Sequence, residues 1–182
     1  TQQIFLIDES AQNYTRTKAV QHGLTLDNVS AVLDWDRLQW WAEGEAEIRN
    51  LKTSNRSLTF QDVCFAPQGK GGPCVVQSMM GYFQDDLEGA GVDEQNWQRK
   101  LNACAGSPAE CLPAFSQPLK PNVIFGGIPS GSKAADARAI VSTWIVENSL
   151  DPERISLAME WEKALETFLL DLAGVRYPSD QT

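Results

Sequence analysis

The order of apolar segments in this chain predicts an α+β fold with helices packed on a mostly antiparallel sheet. Three observations carry that prediction. Runs with strand character and runs with a three-four apolar period follow one another as strand, helix, strand, helix, a strand pair and a last helix, without the regular alternation of a doubly wound parallel sheet. The last two strand-like runs lie close enough to pair as a hairpin. Four cysteines, Cys64, Cys74, Cys104 and Cys111, fall beside these segments at spacings that suit small closed loops.

The first element is Gln2-Gln3-Ile4-Phe5-Leu6-Ile7-Asp8, a short apolar run ended by polar residues, which reads as a buried strand. Residues 9–32 hold no sustained period. A loop that long inside a compact domain is uncommon and tends to be functional or disordered. Asp34 then caps a helix running to about Lys52, with Leu38, Trp41, Ile48 and Leu51 as its apolar stripe and Glu45 interrupting that stripe. The Trp40-Trp41 pair reads as core rather than as a stacking platform for a sugar, because tryptophan buries large area on amphipathic helices.

Ser57-Leu58-Thr59-Phe60 reads as an extended segment entering Cys64. The Gly/Pro-rich stretch Gln68–Pro73 leads to Cys74, and Val75, Ser78, Met79, Tyr82 and Phe83 predict a second amphipathic helix, with the methionines filling core gaps. Asp85 to Glu94 is acidic and contains glycine. It lacks the spacing of a calcium loop and reads as a solvated turn. Asp93 starts a short helix over Trp97 and Leu101. Leu119–Gly127 and Ala137–Val146 are the strand pair. Asp151-Pro152-Glu153 is a strong helix start, and Met159, Trp161, Leu165, Phe168, Leu169 and Leu172 line a helix that Gly174 would end.

Composition narrows the function classes. The formal charge is −9 from 24 acidic and 15 basic residues, and the basic residues do not cluster. That pattern argues against nucleic acid and against anionic membrane surfaces. No apolar run approaches the roughly 20 residues of a membrane span, and no signal-peptide pattern opens the chain. The cysteine spacings, nine and six intervening residues, do not suit zinc. Four cysteines allow three pairings; the sequential one, Cys64–Cys74 with Cys104–Cys111, closes two loops worth roughly 2–3 kcal/mol each on the loop-entropy argument. Asn13-Tyr14-Thr15, Asn28-Val29-Ser30 and Asn55-Arg56-Ser57 are acceptor sequons for N-glycosylation. Three sequons beside an even cysteine count favour an oxidising secretory compartment, and hence a chain that is a piece of a larger precursor.

Catalysis finds no positive argument. His22 is the single histidine, no G-x-S-x-G occurs, and Gly126-Gly127 opens no phosphate loop. Neither a cofactor nor a metal is expected.

The stretch around the first cysteine pair resembles a known family. Leu58-Thr59-Phe60-Gln61-Asp62-Val63-Cys64-Phe65-Ala66-Pro67, then Cys74, then Tyr82-Phe83-Gln84 looks like the signature of the middle luminal domain of the Niemann-Pick type C sterol transporters, the membrane member of that pair. Thr1-Gln2-Gln3-Ile4, Val123-Ile124-Phe125-Gly126-Gly127 and Ala158-Met159-Glu160-Trp161-Glu162-Lys163 match further blocks, so the resemblance covers nearly the whole chain. Divergence from the animal members points to a fungal one. The first and last blocks recur in Patched-type proteins, so an extracellular ligand-binding domain of a Patched-like receptor is the alternative; a secreted hydrolase fragment is a third reading that lacks its constellation.

The resemblance implies a single luminal domain over residues 1–182, part of a polytopic lysosomal or vacuolar membrane protein of the resistance-nodulation-division superfamily. It implies the sequential disulfide pairing. It also implies a non-catalytic role: two protruding loops dock the soluble Niemann-Pick type C sterol carrier, and sterol is handled by the full protein with its other domains. By position the loops fall at Gln21-His22-Gly23-Leu24-Thr25-Leu26 and at Glu88-Gly89-Ala90-Gly91-Val92. Animal members carry aromatic residues at the second tip, where this chain has Gly91 and Val92, so an aromatic anchor is missing there. The family's last luminal strand, after the Trp161 block, is not in this chain.

Overall fold

The structure is a computed structural model that describes residues 2–7 and 32–176. One strand organises it. β4 (Ala139–Trp144) is paired antiparallel along its whole length with β1 (Gln2–Ile7), from Gln2↔Trp144 to Ile7↔Ala139. Two short strands also pair with it: β2 (Val76–Gln77) opposite Trp144 and Thr143, and β3 (Phe125–Gly126) opposite Ile140 and Ala139. All pairings are antiparallel, and the helices lie against this four-stranded sheet, as the α+β expectation has it. The expected hairpin exists as the short β3–β4 ladder.

α1 (Trp35–Asn50) starts where Asp34 predicts. The Asp34 carboxylate accepts from the Arg37 amide at 2.8 Å, satisfying one of the free N–H groups of the first turn. Leu38, Trp41 and Ile48 are buried along its inner face. Trp41 belongs to the core and Trp40 packs against it. α3 (Trp97–Gly106) buries Trp97 and Leu101. α5 (Pro152–Arg176) has Pro152 at its first position and runs through Gly174, which therefore does not end it.

Three segments differ from expectation. Thr59 does not continue a strand. Its backbone N–H and hydroxyl both donate to Asp62 Oδ2, at 2.8 and 2.9 Å, and this carboxylate folds Phe60–Val63 into the single turn α2. Residues 75–83 are not one helix. Val75 and Val76 are β-branched and are captured by the sheet: the Ile145 amide donates to Val75 O, and Val76 lies opposite Trp144. Ser78 then accepts from the Met80 amide and starts the 3-10 turn Met79–Phe83, which is buried throughout. Finally, Pro121 opens the helical turn α4 (Pro121–Ile124), leaving only two residues of the expected strand in β3.

Among the described residues the core falls in two clusters. The larger joins α1, the 3-10 turn, α3 and β3. The smaller is built on Phe60, Trp144 and Trp161, with Ile48, Val63, Val76, Val146 and Leu165 around them. Phe60 lies 4.9 Å from both tryptophan rings, so one aromatic group joins α2, β4 and α5.

Candidate functional site

Both disulfides form in the sequential pairing, with Cα–Cα separations of 5.6 Å for Cys64–Cys74 and 5.4 Å for Cys104–Cys111. The first closes an arch whose two feet are stitched to the chain leaving β4. The Phe65 amide donates to Ile145 O at 2.8 Å, the Val75 amide donates to Phe65 O at 3.0 Å, and Cys64 bridges Val146. Between the arch and the start of α5 lies a cleft of about 400 Å³ lined by Asp62, Phe65, Lys70, Glu147 and Arg154. The second disulfide ties the end of α3 to the chain that follows it.

The 3-10 turn leads directly into the second expected loop, which is a built structure rather than a slack turn. Asp86 Oδ1 accepts from the Gly89 amide at 2.8 Å, and the Ala90 amide donates to Asp86 O at 3.1 Å. One turn of helix forms. It closes by the paired bonds of a Schellman motif, Val92 N–H to Leu87 O at 2.7 Å and Gly91 N–H to Glu88 O at 2.8 Å. Gly91 takes the left-handed position that this motif requires, at φ +63°. Two groups at the start of α3 hold the turn from behind: Lys100 Nζ donates to Ala90 O, and Asn96 Nδ2 donates to Gly91 O at 3.1 Å.

This geometry corrects one residue of the second tip. Val92 is 6% exposed and sits in the core cluster, with Leu87 packed against that cluster. A hydrophobic residue just past the left-handed glycine commonly packs back on the turn, and Val92 does so. The surface that the loop presents is Glu88, Gly89 and Gly91, which are exposed, with Ala90 half-buried. The other loop, Gln21, His22, Gly23, Leu24, Thr25 and Leu26, lies outside the described residues, as do Asn13 and Asn28. Asn55 is exposed in a turn.

The root of the second loop rests on a polar network that sequence reasoning missed. Gln84 and Asp85 are consecutive non-glycine residues with positive φ, 53° and 63°. Arg49 from α1 pairs with Asp85 at 2.6 Å and lies over the Trp144 ring at 5.2 Å. On its other side, at 3.9 Å, is Glu45, which is 3% exposed. Ser78 Oγ hydrogen-bonds to Glu45 Oε1, while Oε2 makes no hydrogen bond among the described residues. Burial pushes the Glu45 carboxyl up to about 7, against the opposing effects of the Ser78 hydrogen bond and Arg49. The available signal was the charged residue on the apolar stripe of α1, which read only as an imperfection.

Comparison with known proteins gives a consistent picture. The family model described as NPC1, middle luminal domain, matches residues 1–174. The chain is 30% identical over 161 residues to NPC intracellular cholesterol transporter 1 homolog 1b of Drosophila melanogaster, covering 74% of this chain and 12% of that protein. It is 26% identical over 154 residues to NPC intracellular cholesterol transporter 1 homolog 1 of Caenorhabditis elegans, covering 66% and 11%. It is 25% identical over 194 residues to NPC1-like intracellular cholesterol transporter 1 of Mus musculus, covering 90% and 14%. The chain thus spans a small part of the length of each of these relatives.

Proposed function

The chain belongs to the NPC1 middle luminal domain family, and from that premise we propose that it is a non-catalytic docking module in the lumen-facing part of a sterol transporter. The observation that carries this reading is the family match over residues 1–174. The relatives that share it are named as cholesterol transporters. In this reading residues 1–182 form one luminal domain of a multi-pass protein in the lysosomal or vacuolar membrane, with sterol handled by the whole transporter. Asn13, Asn28 and Asn55 carry its glycans. The occupant of the docking surface is the soluble Niemann-Pick type C sterol carrier.

Two features of the second loop support docking there. Its backbone is fixed by the Asp86 cap and the Schellman closure, so little conformational entropy remains to be lost on binding. It also presents Glu88 and two glycines outward, a small polar tip suited to contact with a complementary partner. The first loop, residues 21–26, supplies the apolar contacts through Leu24 and Leu26.

The test is binding of the domain to the soluble carrier, measured by surface plasmon resonance. The variant Leu24→Asp/Leu26→Asp/Glu88→Arg leaves Val92 and the Schellman closure intact. A loss of about tenfold or more in affinity is expected, the effect of removing a binding hot spot. Unchanged binding in the triple variant would reject the loop assignment, and no binding by the unaltered domain would reject docking itself.

A further inference from the structure

We propose that Glu45 is a proton-operated latch that sets how firmly the root of the loop 84–92 is held. Three elements converge on this carboxyl. α1 supplies Glu45 and, one turn on, Arg49; the 3-10 segment supplies Ser78; β4 supplies Ser142. Ser142 is fully buried, and its Oγ makes no hydrogen bond among the described residues. Asp85 faces the same group through Arg49 and is the other acidic residue acting on it. One guanidinium is therefore shared by two carboxylates at unequal distances, 2.6 Å to Asp85 and 3.9 Å to Glu45.

The element this balance acts on is the strained pair Gln84-Asp85. Non-glycine residues with positive φ persist where surrounding contacts hold them. Here those contacts are the Asp85 amide to Met80 O at 3.0 Å, the Gln84 amide to Gly81 O at 3.3 Å, and the Arg49–Asp85 ion pair. With Glu45 ionised, a buried charge with one unbonded oxygen draws Arg49 inward, away from Asp85. With Glu45 protonated, that pull ends and Arg49 belongs to Asp85. A cavity of about 190 Å³, lined by Arg49, Asp85, Gln61 and Phe115, lies beside the Arg49–Asp85 ion pair.

The consequence for docking rests on the function proposed above; the latch itself needs no partner and is tested without one. The measurement is amide hydrogen exchange across residues 84–92 at about pH 5.5 and about pH 8, corrected for the intrinsic rate, the two values bracketing the titration. In the unaltered domain, protection should rise at the acidic value by about two- to fivefold, the effect of one part-exposed ion pair. Glu45→Gln, which fixes the neutral form, should give the protected state at both values. Asp85→Asn should give the loosened state at both. The proposal is overturned if Glu45→Gln keeps the pH response of the unaltered domain, if the unaltered domain has none, or if Glu45→Gln fails to fold at about pH 8, where the neutral side chain should be the better tolerated one.

Discussion

Replacing Trp161 measures how far one aromatic cluster holds the last helix to the rest of the molecule. Trp161 is fully buried. Its ring centroid lies 4.9 Å from that of Phe60 and 6.4 Å from that of Trp144. Phe60 stands edge-on to Trp144 at 76°, so the three rings interlock α5, α2 and β4. Trp161→Ala removes the largest side chain that α5 buries and leaves a cavity between rigid neighbours; a loss of about 3–5 kcal/mol is expected. With a urea slope of about 2 kcal/mol/M for a domain of this size, the midpoint should fall by roughly 1.5–2.5 M. Total stabilities of about 5–15 kcal/mol leave the folded state within reach, and Trp161→Phe, which keeps a ring against Phe60, should cost about half as much. Unfolding is followed by far-UV circular dichroism, since the substitution changes the tryptophan signal. A double-mutant cycle of Phe60→Leu with Trp161→Leu should return a coupling of about 0.5–1.5 kcal/mol. A cost below about 1 kcal/mol for the alanine variant, or strictly additive costs in the cycle, would refute the view that this cluster anchors α5.

Two further outcomes follow from the loop and its root. Gly91→Ala forces a side chain into the left-handed closing position of the Schellman motif and within 3.3 Å of Lys100 Nζ, so thermal unfolding should report a loss of about 1–2 kcal/mol, with no change expected from a control alanine at exposed Glu94. Stability should also depend on pH through Glu45. Its folded-state pKa, about 7, stands above its ordinary 4.5, so the folded protein holds the proton more tightly than the unfolded chain. Its contribution is fully present below about pH 4.5 and is lost as pH rises through 7; at about 1.4 kcal/mol per pH unit it amounts to about 3 kcal/mol. The stability of the unaltered domain relative to Glu45→Gln, from urea titrations, should change by this amount across that window, and parallel curves would remove Glu45 from the account.

Where local chemistry acts alone, the sequence predicts the structure closely. The Asp34 cap and the Pro152 start are each decided by a few adjacent residues, and both helices begin where those residues say. Expectation and structure part where a local preference meets a distant partner. Residues 75–83 carry an apolar spacing compatible with a helix, but Val75 and Val76 find the end of β4 and its continuation, and the ladder prevails over the helical period. Pro121 acts in the opposite sense, starting a helical turn inside a run that reads as a strand. At the candidate site, the family resemblance places Val92 at the tip by position. Its burial is visible only once the two closing hydrogen bonds of the Schellman motif are in place.

The same closure changes which disulfide bears on the second loop. The Cys64–Cys74 arch carries the strongest sequence signature, yet its feet are fastened to the chain after β4, and it shares a cavity lining with Asp85 at the loop's root. The groups that hold the turn Asp86–Val92 from behind, Asn96 and Lys100, stand at the start of α3, and the end of that helix is bridged by Cys104–Cys111. The helix that begins at these two groups is therefore the one that the less conspicuous disulfide closes at its far end. On the other flank, Arg49 reaches Asp85 from α1 with no covalent aid, and its hold depends on the charge of a single buried carboxyl. The loop is thus held by hydrogen bonds from the start of α3 on one side and, on the other, by an ion pair whose strength the Glu45 charge would set.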